Sequence, residues 1–283
     1  MKIIGAEHSQ VLAAKTARIL GAELLSAEFR SFPDGELYVR AEAPGDDLVI
    51  IGSITNSDSL IQLLLLIDAC EDADELTLVI PYMGYARQDK KFNPGEPVSA
   101  RAVAGVLSRG IDRAYTINIH EESVLGHFGV PVENISIAER IGEYITAMNT
   151  ENPLVLAPDK GAAEFAADVA AACGCEHDHL QKTRLSGTEV NIAPKSIDAK
   201  GSTVFIVDDI ISTGGTLATA AGMLKEQGAA EVHAACVHGI FTNGGYVRLS
   251  SAGIKSIAAS DTIESGASRV SAAESIAAAL KGI

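Results

Sequence analysis

Short apolar runs alternate with longer amphipathic segments along most of this chain. The short runs predict buried strands at Leu48–Ile51, Leu76–Ile80, Ala114–Ile119, Leu154–Ala157, Thr203–Val207, Val232–Val237 and Ile254–Ala258. Segments with apolar residues at helical spacing predict helices at Ser9–Leu20, Ser59–Cys70, Ser99–Arg109, Ala138–Met148, Ala162–Cys173, Thr216–Gln227 and Ser271–Leu280. Strands that alternate with helices are typical of crossover units, so the sequence predicts an α/β fold whose mostly parallel sheets are flanked by helices.

The segment Phe29–Arg40 departs from this alternation. Two short extended pieces flank Pro33-Asp34-Gly35, a combination of residues that favours a tight turn. This segment therefore predicts a β-hairpin.

The chain contains a weak internal repeat, offset by about 155 residues. Each copy reads strand, polar loop, helix and strand; the first spans residues 49–80 and the second spans residues 205–237. The repeat predicts two related tandem domains joined near Ile137–Tyr144. We place the N-terminal domain at residues 1–139, completed by a C-terminal helix at 270–283, and the C-terminal domain at 140–269.

The two copies differ in the loop after their first strand. The first has Gly52-Ser53 where the second has Asp208-Asp209, and the first lacks a counterpart of Gly214-Gly215. Only the C-terminal domain is therefore expected to keep the chemistry of this loop.

Composition adds the nature of the core and a compartment. Hydrophobic residues make up 47% of the chain and aromatic residues 5%, with no Trp, so the core is expected to be aliphatic. Apolar runs such as Leu63–Ile67 are far too short to span a bilayer, and the N-terminal segment lacks the apolar core of a signal peptide. Four Cys without a CxxC pair favour a reducing compartment, so we expect a cytoplasmic protein with no membrane partner.

The charge balance excludes one class of partner. The formal net charge is −15, from 37 acidic and 22 basic residues. A surface that coats nucleic acid needs clustered Lys and Arg, so no nucleic-acid partner is expected. A single phosphate-binding pocket remains compatible with this charge, because local charges decide its affinity. We attribute the overall acidity to solubility.

The most informative segment is residues 204–216, VFIVDDIISTGGT. Its first four residues predict a buried strand, and Asp208 and Asp209 follow at the carboxyl end, where open α/β sheets bind ligands. Both carboxylates can accept hydrogen bonds from vicinal ribose hydroxyls. The alternative is an ordinary strand–turn–helix in which Asp is a capping residue.

The loop after the carboxylates has the composition of a phosphate-binding loop. Ser212–Thr216 leads into a predicted helix, and the backbone amides of the loop and the positive end of that helix favour a phosphate dianion. Gly214 and Gly215 allow close approach of the phosphate, and the hydroxyl groups that add donors belong to Ser212, Thr213 and Thr216. The segment therefore predicts a site for a phosphorylated ribose.

Further motifs connect the chain to a known family. The run 204–216 resembles the signature of the type I phosphoribosyltransferase fold. The other motifs are FPDGE at 32–36, PYMGYARQDKK at 81–91, Asn118-Ile119-His120 and Ala157-Pro158-Asp159. Together they resemble ribose-phosphate pyrophosphokinase over nearly the whole chain, in its shorter form. The resemblance implies two tandem phosphoribosyltransferase-like domains.

The resemblance also implies an ATP site. Arg87 and Gln88 would contact ATP, and the adenine end would be recognised by Phe32, Asp34, Gly35 and Glu36, with that hairpin supplied by a neighbouring subunit. Arg87, Lys90 and Lys91 concentrate positive charge, which suits a triphosphate. On spacing alone, a solvated basic turn after a strand explains this cluster as well.

His120 and Asp159 are the expected metal ligands. On the residues alone, a His at a strand end is usually hydrogen-bonded, and an Asp before a helix is usually a capping residue. The resemblance makes both of them ligands of Mg²⁺, an ion that uses few protein ligands beside phosphates and water.

Lys182 and Arg184 open a polar stretch, Thr183–Lys195, that reads as a surface loop. The resemblance implies instead a mobile catalytic flap, in which both side chains close over the transferring group and Arg184 also contacts ribose 5-phosphate. Such a flap would exclude water and add positive charge as the transition state forms.

Residues 173–179, CGCEHDH, offer side chains that ligate metals, but the spacing is not that of a structural zinc site. Alternation at Cys175, His177 and His179 fits a strand that leads toward Lys182. We therefore predict a strand here and no metal site.

The reaction implied is transfer of the β,γ-diphosphoryl group of ATP to the 1-hydroxyl of ribose 5-phosphate, with Mg²⁺, giving phosphoribosyl pyrophosphate and AMP. A homo-oligomer built from dimers that share the ATP site is expected. Three alternatives are a phosphoribosyltransferase, a silent regulatory subunit of the same fold and a DNA-binding regulator. The first leaves the ATP motifs without a purpose; the second does not explain Lys182, Arg184, His120 and Asp159. The third conflicts with the acidic charge.

Overall fold

The computed structural model describes residues 1–42, 45–184, 190–194 and 197–282, and it leaves the side chains of residues 182–184 and 190–193 undescribed. The chain divides into two compact units. The first comprises Met1–Ser136, Thr262–Glu264 and Ser271–Ile283, and the second comprises Ile137–Asp261 and Ser265–Val270.

Within the described residues, the first unit contains a six-stranded parallel sheet in the order β2-β1-β5-β6-β7-β8. Its strands are β1 (Lys2–Gly5), β2 (Glu23–Leu25), β5 (Leu48–Ile51), β6 (Leu76–Ile80), β7 (Arg113–Ile117) and β8 (Val132–Ile135). The central strands β5 and β6 are buried along their whole length, as expected for a parallel sheet covered on both faces.

The helices of the first unit are α1 (Gln10–Leu20), α2 (Ser57–Asp68), α3 (Ser99–Leu107) and α8 (Ala273–Leu280), which packs against α1. Helix α2 begins with a capping box. The Oδ1 atom of Asn56 accepts from the backbone N–H of Ser59 at 2.8 Å, and the Ser59 hydroxyl oxygen accepts from the Asn56 N–H at 3.0 Å. This reciprocal pair fixes where the helix starts.

The predicted hairpin is confirmed. Strands β3 (Ala27–Ser31) and β4 (Leu37–Ala41) pair antiparallel around the turn at Pro33-Asp34-Gly35. Phe29 and Val39, opposite each other in the ladder, pack against the core of the first unit, so the base of the hairpin is anchored.

In the second unit, the described residues form a seven-stranded sheet in the order β11-β10-β9-β12-β13-β14-β15. All neighbours are parallel except β10 and β11. The strands are β9 (Pro153–Ala157), β10 (Glu176–Arg184), β11 (Val190–Pro194), β12 (Thr203–Ile211), β13 (Glu231–Gly239), β14 (Ile257–Ser260) and β15 (Ser268–Val270). Its helices are α4 (Ala138–Ala147), α5 (Ala163–Cys173), α6 (Gly215–Glu226) and α7 (Gly245–Ser251).

The α/β prediction is confirmed, and the internal repeat corresponds to β5-α2-β6 in one sheet and β12-α6-β13 in the other. Several predicted segments have other bounds in the structure, and two of them are described here. The strand predicted at Ile254–Ala258 is β14, displaced because α7 and the turn after it extend to residue 253. Within the stretch 183–195, which reads as a loop, Thr183 and Arg184 pair antiparallel with Asn191 and Val190. None of the helices in the described part of the chain has the length and apolar character needed to cross a membrane.

Candidate functional site

The carboxylate pair lies inside β12. The sequence predicts an end at Val207, but the strand continues to Ile211 because β13 continues to pair with it, Asp208 opposite Cys236 and Ile210 opposite His238. The backbone N–H of Asp209 donates to Oδ1 of Asp208 at 3.0 Å. The added ladder fixes the backbone that carries both carboxylates.

The glycine-rich loop follows β12 directly and leads into α6. Gly214 has φ +69°, a left-handed conformation that a glycine adopts without strain, and helix α6 begins at Gly215. The loop Ser212–Thr216, hereafter the phosphate loop, lines a cavity of about 170 Å³. The positive end of α6 therefore adjoins this cavity.

The cavity brings the two halves of the predicted sugar site together. Its described walls are Pro158, Asp159, Asp208, Ile210, Ile211, the phosphate loop and Leu217. Asp209 is not among these residues, although the sequence predicts the same role for both carboxylates. Pro158, Ile210, Ile211 and Leu217 are not among the predicted site residues; their only signal in the sequence is their position beside the motifs.

The electrostatics of the cavity differ between its two sides. Burial raises the pKa of Asp208 to about 8, and the neighbouring charges of Asp209 and Asp159 act in the same direction. The other side offers backbone amides and hydroxyl groups. A ligand with hydroxyl donors at one end and a phosphate at the other matches both sides.

Asp159, on the wall of this cavity, also shapes the turn before α5. Its Oδ1 accepts from the backbone N–H of Gly161 at 2.7 Å and from that of Ala162 at 3.4 Å. Asp159 therefore fixes the turn before the helix but is not its N-cap, because α5 begins at Ala163 with Ala162 as the N-cap residue and no side-chain capping bond.

His120 belongs to the first unit. Strand β7 ends at Ile117 and not at the predicted Ile119, because the backbone turns at Asn118, which has φ +39°. The Asn134 side chain holds this turn by accepting from the Ile119 N–H at 3.0 Å. His120 is exposed directly after it. Among the described residues, no group of three or more His, Cys, Asp or Glu side chains is arranged to hold a metal ion.

The residues of the predicted adenine site occupy the tip of the β3–β4 hairpin. Phe32 is 46% exposed and meets the Tyr38 ring edge-on, with ring centroids 5.9 Å apart. Gly35 has φ +95°, and Oδ1 of Asp34 accepts from the Glu36 N–H at 3.2 Å. The turn therefore presents an aromatic ring and polar groups at an exposed tip.

Arg87 and Gln88 lie between β6 and α3. Arg87 is exposed, and Gln88 is held at the start of α3, where the Ser99 hydroxyl donates to its Oε1 at 2.9 Å and the Ala100 N–H donates to its carbonyl at 3.2 Å. Lys90 lies 5.7 Å from the centre of the exposed Phe92 ring. The structure thus gives Gln88 a capping role and leaves the basic side chains at the surface.

Lys182 and Arg184 lie in β10, opposite Ile192 and Val190 of β11. Their side chains are outside the described part of the structure, as are residues 185–189 of the predicted flap. Both residues therefore belong to strand β10, which lies beside the edge strand β11 in the second sheet.

The strand predicted from the alternation at 175, 177 and 179 is confirmed as β10. The sulfur atoms of Cys173 and Cys175 lie next to each other on either side of Gly174. Cys70 and Cys236 are buried thiols.

Two family models match most of the chain. Residues 1–110 match the N-terminal domain of ribose phosphate pyrophosphokinase, and residues 132–270 match the phosphoribosyl transferase domain. The chain is 52% identical to a ribose-phosphate pyrophosphokinase of Methanosarcina acetivorans, over 99% of both chains. It is 41% identical to one of Halobacterium salinarum, over 98% of this chain and 100% of that one.

The chain is also similar to a solved structure. The chain resembles the phosphoribosylpyrophosphate synthetase of Mycobacterium smegmatis with a TM-score of 0.85 and 28% sequence identity, covering 99% of this chain and 97% of that chain. The resemblance therefore extends across both units.

Proposed function

The chain belongs to the ribose-phosphate pyrophosphokinase family, and on that premise we propose which of its residues carry the reaction. It is an enzyme that forms phosphoribosyl pyrophosphate for nucleotide synthesis. The O1 atom of ribose 5-phosphate attacks the β-phosphorus of ATP. The bond between Pβ and the oxygen that bridges it to Pα breaks, and AMP leaves with that oxygen. The proton of the 1-hydroxyl is released, and we assign no general base to it.

The cavity of the second unit is the proposed site of ribose 5-phosphate. The observation that supports this is the placement of a carboxylate side and a phosphate loop on one cavity of about 170 Å³. The phosphate loop would bind the 5-phosphate through its amides and hydroxyls. Asp208 and Asp209 would accept from the ribose hydroxyls, with Asp208 in the cavity wall and Asp209 beside it in β12.

The proposed ATP site comprises Phe32, Asp34, Gly35 and Glu36 of the hairpin with Arg87 and Gln88. The exposed Phe32 ring offers a stacking surface for a base, and Arg87 offers charge to a phosphate. Lys182 and Arg184 are the proposed catalytic residues, neutralising the transferring group as charge shifts toward AMP. Catalysis then rests on positioning and charge, which suits phosphoryl transfer.

Mg²⁺ is the proposed metal, with His120 and Asp159 as protein ligands. The oxygen of a carboxylate suits this ion, and Asp159 stands on the cavity wall with Asp208. The pKa of Asp208 is raised first by burial and then by the charges of Asp209 and Asp159, and a cation would offset the effect of these charges. Mg²⁺ bound with ATP supplies positive charge to the phosphates.

We further propose a cytoplasmic homo-oligomer built from dimers, with the ATP site shared between subunits. Its two functional domains would be residues 1–139, completed by 270–283, and residues 140–269. Exposed apolar side chains on α2 support an interface; Ile61 is 48% exposed and Leu65, one helical turn later, is 37% exposed. Light scattering of the purified protein would test this assembly.

The deciding assay mixes the protein with Mg²⁺, ATP and ribose 5-phosphate and separates the nucleotides. We expect AMP to form in step with phosphoribosyl pyrophosphate and only when the sugar phosphate is present. Formation of ADP, or AMP that does not depend on the sugar, would contradict the proposal. Replacing ribose 5-phosphate by 2-deoxyribose 5-phosphate tests the hydroxyl contacts, since a sugar without the 2-hydroxyl should raise KM.

A further inference from the structure

The phosphate loop is supported from behind by residues 240–248, which we call the backing segment. The carbonyl oxygen of Ile211, just before the loop, accepts from the backbone N–H groups of Ile240 at 3.0 Å and Phe241 at 3.1 Å. The carbonyl oxygen of Thr213, inside the loop, accepts from Nη1 of Arg248. Two carbonyls of the loop region therefore point toward the backing segment.

The carbonyl group of Ser212, between Ile211 and Thr213, also contacts the backing segment. A Cβ atom at Gly245 would lie 2.5 Å from the carbonyl oxygen of Ser212, so the two backbones are in direct contact there. The Ser212 hydroxyl also lies 3.2 Å from the hydroxyl of Thr242 in the backing segment. Three consecutive carbonyls, at residues 211, 212 and 213, thus contact one segment.

The orientation of these carbonyls fixes the direction of the amides that follow them. In a trans peptide the C=O and the next N–H point in opposite directions, and the described chain has no cis peptide bond. The N–H groups of Ser212, Thr213 and Gly214 therefore point away from the backing segment. The loop lines the cavity, whose described walls do not include residues 240–248, so these amides turn to the cavity side. Successive amides directed to one side form an anion-binding concavity.

We propose that Arg248 is a positioning residue for the 5-phosphate of the sugar substrate, an inference that rests on the proposed function. It holds the Thr213 carbonyl out of the cavity, and the same peptide then presents the Gly214 N–H to the phosphate. Nη2 of Arg248 also donates to the carbonyl of Asn243 at 3.4 Å, so one guanidinium ties the phosphate loop to the backing segment. Its positive charge adjoins the loop as well.

The backing segment has a backbone that needs such support. Phe241 and Asn243 have φ +48° and +51°, a left-handed region that is unfavourable for a bulky residue such as Phe241. The Phe241 ring packs edge-on against Tyr246, with centroids 5.5 Å apart. These contacts hold the segment in place behind the phosphate loop.

The test compares Arg248→Ala, Arg248→Lys and Arg269→Ala. Arg269 is a matched control, an exposed arginine of β15 in the same unit. We expect Arg248→Ala to raise the KM for ribose 5-phosphate about tenfold, with the KM for ATP and kcat within about twofold of the wild type. Arg248→Lys, which keeps a charged donor, should recover part of the loss, and Arg269→Ala should change nothing.

Calorimetric binding of ribose 5-phosphate to each protein without ATP separates this inference from the proposed function. If the wild type binds the sugar but forms no AMP, the proposed function fails, and the ratio of dissociation constants still tests Arg248. An unchanged affinity in Arg248→Ala would overturn the inference. So would an equal rise in both KM values, or a loss that Arg248→Lys does not reduce, because a general structural defect would produce either result.

Discussion

The backbone N–H of Asp209 donates to the carboxylate of Asp208 at 3.0 Å, yet the pKa of Asp208 is raised to about 8. Burial is the largest cause, and the charge of Asp209 is the second. The hydrogen bond from the backbone N–H of Asp209 lowers the pKa of Asp208 and offsets only part of these effects. The proposed ribose site therefore holds a carboxyl group whose ionisation is costly in the unliganded protein.

This relationship predicts a pH dependence of stability. The carboxyl of Asp208 ionises near its ordinary pKa of 3.8 in the unfolded chain and near 8 in the folded one, so between these values the folded state retains a proton that the unfolded state has lost. Its contribution to the free energy of unfolding is therefore largest below about pH 4 and falls as the pH rises through 8. Asp208→Asn removes this pH-dependent loss. The free energy of unfolding of the variant should therefore exceed that of the wild type by about 1–3 kcal/mol between pH 5 and pH 9.

Thermal unfolding with EDTA across this pH range measures the effect. Asp168→Asn, at an exposed position of α5, is the control and should run parallel to the wild type. A constant difference between Asp208→Asn and the wild type at every pH would contradict the prediction. Above about pH 8, where Asp208 is ionised, we also expect Asp208→Asn to weaken ribose 5-phosphate binding, since an amide accepts hydroxyl donors less well than a carboxylate.

The proposed catalytic role of Lys182 predicts a loss confined to the chemical step. Lys182→Ala should lower kcat about 100-fold or more and leave the dissociation constant of ATP nearly unchanged, because a group that acts on developing charge matters most in the transition state. Lys200→Ala, at an exposed position of the same unit, should be silent. Equal losses of kcat and ATP affinity would instead make Lys182 a ground-state binding residue.

The contact between Gly245 and Ser212 predicts a steric defect. Gly245 has φ −53°, so alanine fits the backbone, but its Cβ would lie 2.5 Å from the Ser212 carbonyl oxygen. Gly245→Ala should cost about 1–3 kcal/mol and raise the KM for ribose 5-phosphate as the phosphate loop shifts. Chemical denaturation and steady-state kinetics measure the two effects.

Gly222 provides the matched control for that substitution. It lies in α6, where a Cβ atom would meet none of the described neighbours within 4 Å, so an alanine side chain has open space. Gly222→Ala should therefore raise the free energy of unfolding by about 0.5–1 kcal/mol and leave KM unchanged. Similar behaviour of the two alanine variants would mean that the close approach at Gly245 is not maintained in solution.

The hydrogen bond from Ser99 to Gln88 predicts an effect on the nucleotide. Ser99→Ala removes the donor that orients the Gln88 side chain, and the KM for ATP should rise about threefold to tenfold, with the KM for ribose 5-phosphate unchanged. Ser108→Ala, at the other end of α3, is the control because its hydroxyl contacts Ala104 and Gly129. An unaltered KM for ATP in Ser99→Ala would argue against a role for Gln88 in ATP binding.

The buried centre of each sheet could be predicted from the sequence. Strands β5 and β6 have the predicted bounds because central parallel strands are buried along their whole length and are therefore almost entirely apolar. The phosphate loop was also evident, since its glycines and hydroxyls are contiguous in the chain. Burial of a strand and the conformation of a tight loop both depend on residues that are adjacent in the sequence, so the local sequence predicts them.

Tertiary structure decided what depends on distant partners. Strand β12 extends through two carboxylates because β13 pairs with them, and the polar arm at Arg184 is a strand because Val190 lies opposite. The contact of Arg248 with Thr213 joins residues 35 positions apart, and a lone arginine in an acidic chain gives no local signal of it. The sequence alone determined the fold class and the proposed sugar-phosphate motif, and folding determined which residues of that motif line the cavity. Hydrophobic periodicity records burial, whereas the direction of a carbonyl is set by the donor that folding brings to it.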